Sequence, residues 1–173
     1  MMNVIVFVNR IVTPDFNTKF VGHVGWGFKL ANGNFMYGSK EASPMEFANQ
    51  IPFFPGVIHK GNPNGVSVKE AALKDMLNSL ETNGNNGALR FVYHQYKLLQ
   101  APNVSIDDAV SLALDSKNWG YGLTGNNCMD DVFKIIKAYA SGDDTFLPWP
   151  STHWFPNAFF DDIKAEVHVI NDH

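Results

Sequence analysis

Residues 21–30 read Val-Gly-His-Val-Gly-Trp-Gly-Phe-Lys-Leu, a stretch with few ways to fold. Successive side chains of a strand point to opposite faces, so Val24, Trp26, Phe28 and Leu30 share one side and His23, Gly25 and Gly27 the other. Glycine weakens strands, and two at alternate positions beside a histidine suggest that another backbone passes close to that face, the helix carrying Cys128 being one candidate; a satisfied histidine on a Gly-rich sheet is the alternative. Asn32-Gly33 suits a type I′ turn, from which Asn34–Lys40 returns as the second strand of a hairpin. A two-residue turn places Tyr37 opposite Phe28, on the side away from His23, and a bulge would reverse that.

The remaining pattern is that of a small α+β chain. Residues 3–11 read as a buried first strand. Pro44, Pro52, Pro55 and Pro63 predict a long irregular excursion over residues 43–66, with one short helix near 45–49. Ser67 and Glu70 have capping-box spacing ahead of Ala71, Leu73, Met76, Leu77 and Leu80, which predicts a helix running to Asn83-Gly84. Leu89–Leu98 is rich in β-formers, and Ser105 with Asp108 opens a second helix reaching about Lys117. A third helix over residues 128–140 buries Val132, Phe133, Ile135, Ile136 and Tyr139. The Pro- and aromatic-rich segment 141–160 is expected to cover the core, and Ala165–Ile170 to close the sheet. No repeat or linker divides the 173 residues, a length at which one domain buries about 70% of its unfolded surface.

Composition narrows the function. Thirteen Lys plus Arg against seventeen Asp plus Glu, with no basic stripe, argue against nucleic acid as a partner. The apolar run at the start is too short to span a bilayer and lacks the basic lead and cleavage site of a secretory signal. One cysteine excludes an intrachain disulfide, so a reducing, cytoplasmic setting is the expectation. Neither CxxC nor HExxH spacing occurs, and the glycines at 120–125 lack a phosphate-binding fingerprint, so no metal and no cofactor is expected.

The chemistry concentrates at Cys128. Asn126 or Asn127 is the expected N-cap of the third helix, which sets Cys128 in a first turn where free N–H groups and the helix dipole favour a thiolate. The same end of the helix, with Asn126 and Asn127, is the expected oxyanion hole, and the sulfur is expected to be reachable from solvent. Asp130 and Asp131 in that turn oppose ionisation of the thiol, so a histidine beside the sulfur is needed to activate it. Among six histidines His23 alone has a cleared strand face, and His153 in the tail is its rival. Tyr37 is the candidate for orienting the imidazole; Trp26, Trp119, Tyr121, His153 and Trp154 are candidates for walling a substrate cleft.

Gly22-His23 on a strand, Asn34-Phe35-Met36-Tyr37-Gly38-Ser39 on the next, and Tyr121 followed by Asn127-Cys128 at a helix start resemble the circularly permuted papain-like superfamily. That group includes lecithin retinol acyltransferase-like, PPPDE-type and permuted NlpC-type proteins. The resemblance covers residues 21–40 and 119–136. It implies one papain-like domain over residues 1–173, a small antiparallel sheet packed on the Cys128 helix, with Cys128 as nucleophile and His23 as base. The second strand offers Asn34, Tyr37 and Ser39 where the acyltransferases carry a further histidine.

The expected activity is cysteine-dependent hydrolysis of a peptide, isopeptide or other amide bond through an acyl-enzyme, on a peptide or protein or a small amide. Acyl transfer to an amine or lipid is the alternative that the acyltransferase branch implies, opposed by the lack of a C-terminal membrane helix or basic amphipathic face. A non-catalytic binding or scaffold domain that keeps the fold is the third reading.

Overall fold

The computed structural model describes residues 2–10, 22–40, 66–81, 92–119 and 126–170. The expected excursion with its helix near 45–49, the turn after residue 83 and Tyr121 lie outside the described residues.

Strand β1 (Val4–Asn9) is apolar at almost every position because it runs through the middle of the sheet and is covered on both faces. It pairs antiparallel with β2 (His23–Lys29) on one side and β5 (Gln95–Leu99) on the other. Beyond β2 come β3 (Phe35–Lys40) and β4 (Val66–Ala71), and beyond β5 the short β6 (Val167–Val169), all antiparallel. The order is β4-β3-β2-β1-β5-β6.

Strand alternation divides the apolar side chains into two layers. Ile5, Phe7, Phe35, Tyr37 and Tyr96 meet helix α1 (Leu73–Glu81) through Met76, Leu77 and Leu80. Val4, Val6, Val8, Val24, Trp26 and Phe28 meet α2 (Ile106–Asp115), α3 (Cys128–Tyr139) and α4 (Pro156–Asp162) through Ala109, Ala113, Val132, Ile136, Phe159 and Phe160. The described residues thus form a mixed α+β fold of six antiparallel strands and four helices. Among them no helix is long and apolar enough to cross a membrane.

Three local expectations change. The β2–β3 turn has three residues, not two: Leu30 N–H donates to Asn34 O at 2.8 Å, and Gly33 takes the left-handed φ of +90° that closes such a loop. The register therefore shifts by one, with Trp26 opposite Gly38 and Gly27 opposite Tyr37, so Tyr37 lies on the His23 side. Ser67 and Glu70 belong to β4, and α1 begins only at Leu73. The Val66-Ser67-Val68 alternation pairs with β3, and Glu70 Oε1 accepts from Asn32 Nδ2 at 2.7 Å and Asn34 Nδ2 at 3.0 Å, tying the hairpin turn to the edge strand. In the tail, Pro156 opens the unforeseen α4, whose Phe159 and Phe160 are fully buried, so this segment does cover the core.

Gly25 shows why β2 must carry glycines. A Cβ there would lie 2.1 Å from Phe7 Cε2 and 2.8 Å from Gly38 O, because the ring of Phe7, rather than a helix, occupies the cleared face. Gly25→Ala is expected to lower the unfolding free energy by about 3 kcal/mol, read by denaturant titration; an unchanged midpoint would contradict this packing.

Candidate functional site

Helix α3 begins where the sequence places it. Asn127 is its N-cap: the Asn127 side-chain oxygen accepts from Met129 N at 2.8 Å and from Asp130 N at 3.2 Å. The Asp130 carboxylate reaches back to the backbone N–H of Asn127 at 3.1 Å, completing a capping box, and accepts from Asn126 N at 2.6 Å. Asn126 sits at φ +90°, donates its side-chain amide to Trp119 O and accepts from Lys40 Nζ at 2.9 Å. Both asparagine side chains are thus committed to building the helix start, and the N–H groups of Met129 and Asp130 are taken by the cap. The expected oxyanion hole at these groups is not what the site provides.

Cys128 itself is buried, 2% exposed, within the apolar layer of Trp26, Val132 and Ile136. This corrects the expectation of a sulfur open to solvent. His23 is corrected more sharply. It alternates with Gly25 and Gly27, whose faces meet Phe7 and Ile5, and its ring lies 6.0 Å from that of Tyr93, also in the α1 layer. Helix α3 packs on the opposite face of β2, against Val24, Trp26 and Phe28. A sheet therefore separates His23 from Cys128, and the expected dyad is not assembled. Tyr37 shares His23's side, but its hydroxyl lies 2.8 Å from Ser79 Oγ on α1.

His153 does not replace it. Its Nε2 lies 2.8 Å from Asp162 Oδ2 and its Nδ1 2.9 Å from Trp149 O, so both ring nitrogens are engaged within the tail. Trp154 is 92% exposed, while Trp26 is fully buried and belongs to the core. Trp119 donates its indole N–H to Asp115 at 2.9 Å, and its ring lies 5.4 Å from Lys40 Nζ and 5.1 Å from Lys134 Nζ.

Two residues outside the expected set, Lys40 and Asp131, stand on the side of the sheet that Cys128 occupies. The register that moves Tyr37 to the His23 side turns Met36, Gly38 and Lys40 toward α3. Asp131, one turn after Cys128, is 1% exposed; its Oδ2 accepts from Trp26 Nε1 at 2.8 Å. Burial pushes its carboxyl up to about 6, against the lowering effects of the Trp26 hydrogen bond and the charges of Lys40 and Lys134. Burial likewise brings the Lys40 ammonium down to about 8, opposed by Asp131, deepened by Lys134, and opposed again by Asp130 and Cys128.

Lys97 shows how differently a buried lysine can be held. It donates to the carbonyls of Phe160, Asp161 and Ile163 at 2.9, 3.1 and 2.6 Å, around the C-terminal end of α4, so all three ammonium hydrogens have acceptors. Lys40 has Asn126 Oδ1 alone among the described residues. Burial lowers the Lys97 ammonium as well, so the two lysines differ in their acceptors and not in the direction of their shift.

Comparison with family models, curated proteins and solved structures yields no significant match to this chain.

The two buried charges have opposite consequences for stability. Asp131 at about 6, raised from 3.8, contributes stability that is whole below about 3.8 and is lost as pH rises through about 6. Lys40 at about 8, lowered from 10.5, contributes above about 10.5 and loses that contribution as pH falls through about 8. From these groups stability is lowest between about pH 6 and 8, where both are charged. Asp131→Asn keeps an acceptor for Trp26 and is expected to remove the decline between about pH 4 and 6 in urea unfolding; a decline of unchanged size would assign it to other groups.

Proposed function

We propose that this chain is a cysteine-dependent hydrolase of amide bonds in which Cys128 is the nucleophile and Lys40, in place of His23, is its proton partner. The observation that carries the reading is the position of Lys40: buried on Cys128's side of the sheet, bonded to Asn126 two residues before it, with a pKa near 8. A papain-like site pairs the thiol with a histidine; here the amine takes that part, so the proposed chemistry keeps the thiol and changes the base.

A neutral Lys40 amine takes the thiol proton and becomes an ammonium as the sulfur becomes a thiolate. The thiolate attacks the amide carbon, and the ammonium, with two N–H groups beyond the one on Asn126, faces the oxygen on which negative charge collects. Collapse breaks the C–N bond, Lys40 returns the proton to the leaving amine, and a thioester remains. Water, losing a proton to Lys40, attacks the thioester; Cys128 leaves, the acid is released, and the proton passes back to the sulfur. One amide and one water give one acid and one amine.

The burial of Cys128 favours a second reading, a non-catalytic domain in which the cysteine is a small core side chain. Iodoacetamide labelling of the native protein, followed by mass across pH, separates the two. The hydrolase reading expects labelling at Cys128 with a midpoint below the ordinary thiol value of about 8.5. Lys40→Met raises that midpoint by about one unit, and His23→Gln leaves it in place. A sulfur that reacts only once the chain unfolds would overturn the hydrolase reading.

A further inference from the structure

Asp131 is the other charged group buried at this site, and it makes no ion pair with Lys40 within 4 Å among the described residues. Its Oδ2 is held by Trp26, a side chain fixed by full burial and by stacking on Phe28 at 5.7 Å. Among the described residues its Oδ1 accepts no hydrogen bond, an unusual state for a carboxylate oxygen out of reach of water. On α3 it follows Cys128 by three residues and so lies on the same helix face. Lys40 feels Asp131 more strongly than any other charge. The charged groups around the pair are Lys40 from β3 and Cys128, Asp130 and Lys134 from α3; β2 contributes the indole of Trp26 and no charge.

We propose that Asp131 is a positioning residue of this site: anchored to Trp26 through one oxygen, it is kept from closing a direct ion pair with Lys40 and acts on Lys40 and Cys128 as a fixed nearby charge. The inference rests on the reading of Cys128 and Lys40 given under Proposed function. A carboxylate in contact with Lys40 would hold the amine protonated and unable to accept from the thiol. With no carboxylate there, the amine would lose its proton too readily to pair with a thiolate. The Trp26 anchor sets Asp131 between these extremes, so that its charge acts on both Lys40 and Cys128 from a fixed position.

The sign of the effect is unambiguous. Removing a negative charge favours proton loss from both the thiol and the ammonium, so both steps of a coupled Cys128–Lys40 titration move to lower pH. Asp131→Asn preserves the acceptor for Trp26 and is expected to lower the midpoint of iodoacetamide labelling by about one pH unit. Trp26→Phe removes the indole donor, pushes Asp131 further up and moves the midpoint the same way between about pH 6 and 8. Asp131→Glu restores the charge and brings the midpoint back toward that of the unaltered protein. A purely structural Asp131 would change unfolding midpoints and leave the labelling midpoint alone. Should Asp131→Asn fail to fold, Trp26→Phe supplies the same readout. If Cys128 labels in the unaltered protein and neither variant shifts its midpoint, the inference about Asp131 is wrong while the thiol reading stands. If Cys128 does not label in the native state, the thiol reading itself has failed.

Discussion

The hydrogen bond from Trp26 Nε1 to Asp131 Oδ2 joins the middle of the sheet to the helix that starts at Cys128, inside a layer from which water is excluded. Trp26 is fully buried, faces Val6 across the β1–β2 ladder and stacks on Phe28, which in turn meets Tyr139 at 5.0 Å near the far end of α3. The helix is therefore gripped at both ends by one strand, through a carboxylate near its start and a phenol near its end. Tyr139 adds a hydrogen bond from its hydroxyl to Lys29 O at 3.0 Å. Burying a carboxylate without its donor would be costly, so the indole N–H fixes where α3 lies along β2 as well as how far Asp131 reaches.

Burial then acts on the charges that this packing encloses. Asp131 and Lys40 are both drawn toward their neutral forms; among the described residues Asp131 Oδ1 accepts no hydrogen bond and Lys40 donates to Asn126 alone. A structural ion pair would have closed into contact; these two remain apart. Lys97 supplies the contrast within the same molecule, since three carbonyls at the end of α4 make it a cap. Two buried lysines on one sheet are thus held differently, by one acceptor among the described residues and by three.

Much of the fold was legible in the sequence, because alternation and capping are local. The strands at 4–9, 23–29 and 35–40, the Asn127 cap and the helix from Cys128 follow from patterns only a few residues long. What escaped depends on partners distant in sequence. The spacing of Ser67 and Glu70 fits a capping box, yet a free edge on β3 recruits these residues as a strand. The glycines beside His23 do mark a close approach, but the intruder is the Phe7 ring from β1, on the face opposite α3. Alternation showed that His23 and Trp26 lie on different faces; helix α3 packs on the face of Val24, Trp26 and Phe28, and α1 on the other.

The same reasoning identifies the residue on which the placement of Lys40 turns. In a two-residue turn at Asn32-Gly33, β3 would present Tyr37 and Ser39 to the Cys128 helix and send Lys40 to the His23 side. The actual loop has a third residue, with Gly33 in the left-handed region and Asn34 N–H bonded to Asn32 Oδ1 at 3.0 Å. One residue of loop length inverts every side chain of the strand that follows. Lys40 then points into the layer that holds Cys128 and Asp131, and Tyr37 turns away to Ser79 on α1. Glu70 secures this geometry by accepting from both Asn32 and Asn34 across the β3–β4 edge. The composition of the buried site is thus decided at an exposed turn, by a glycine that can adopt a conformation costly to other residues and by the two asparagines that hold it there.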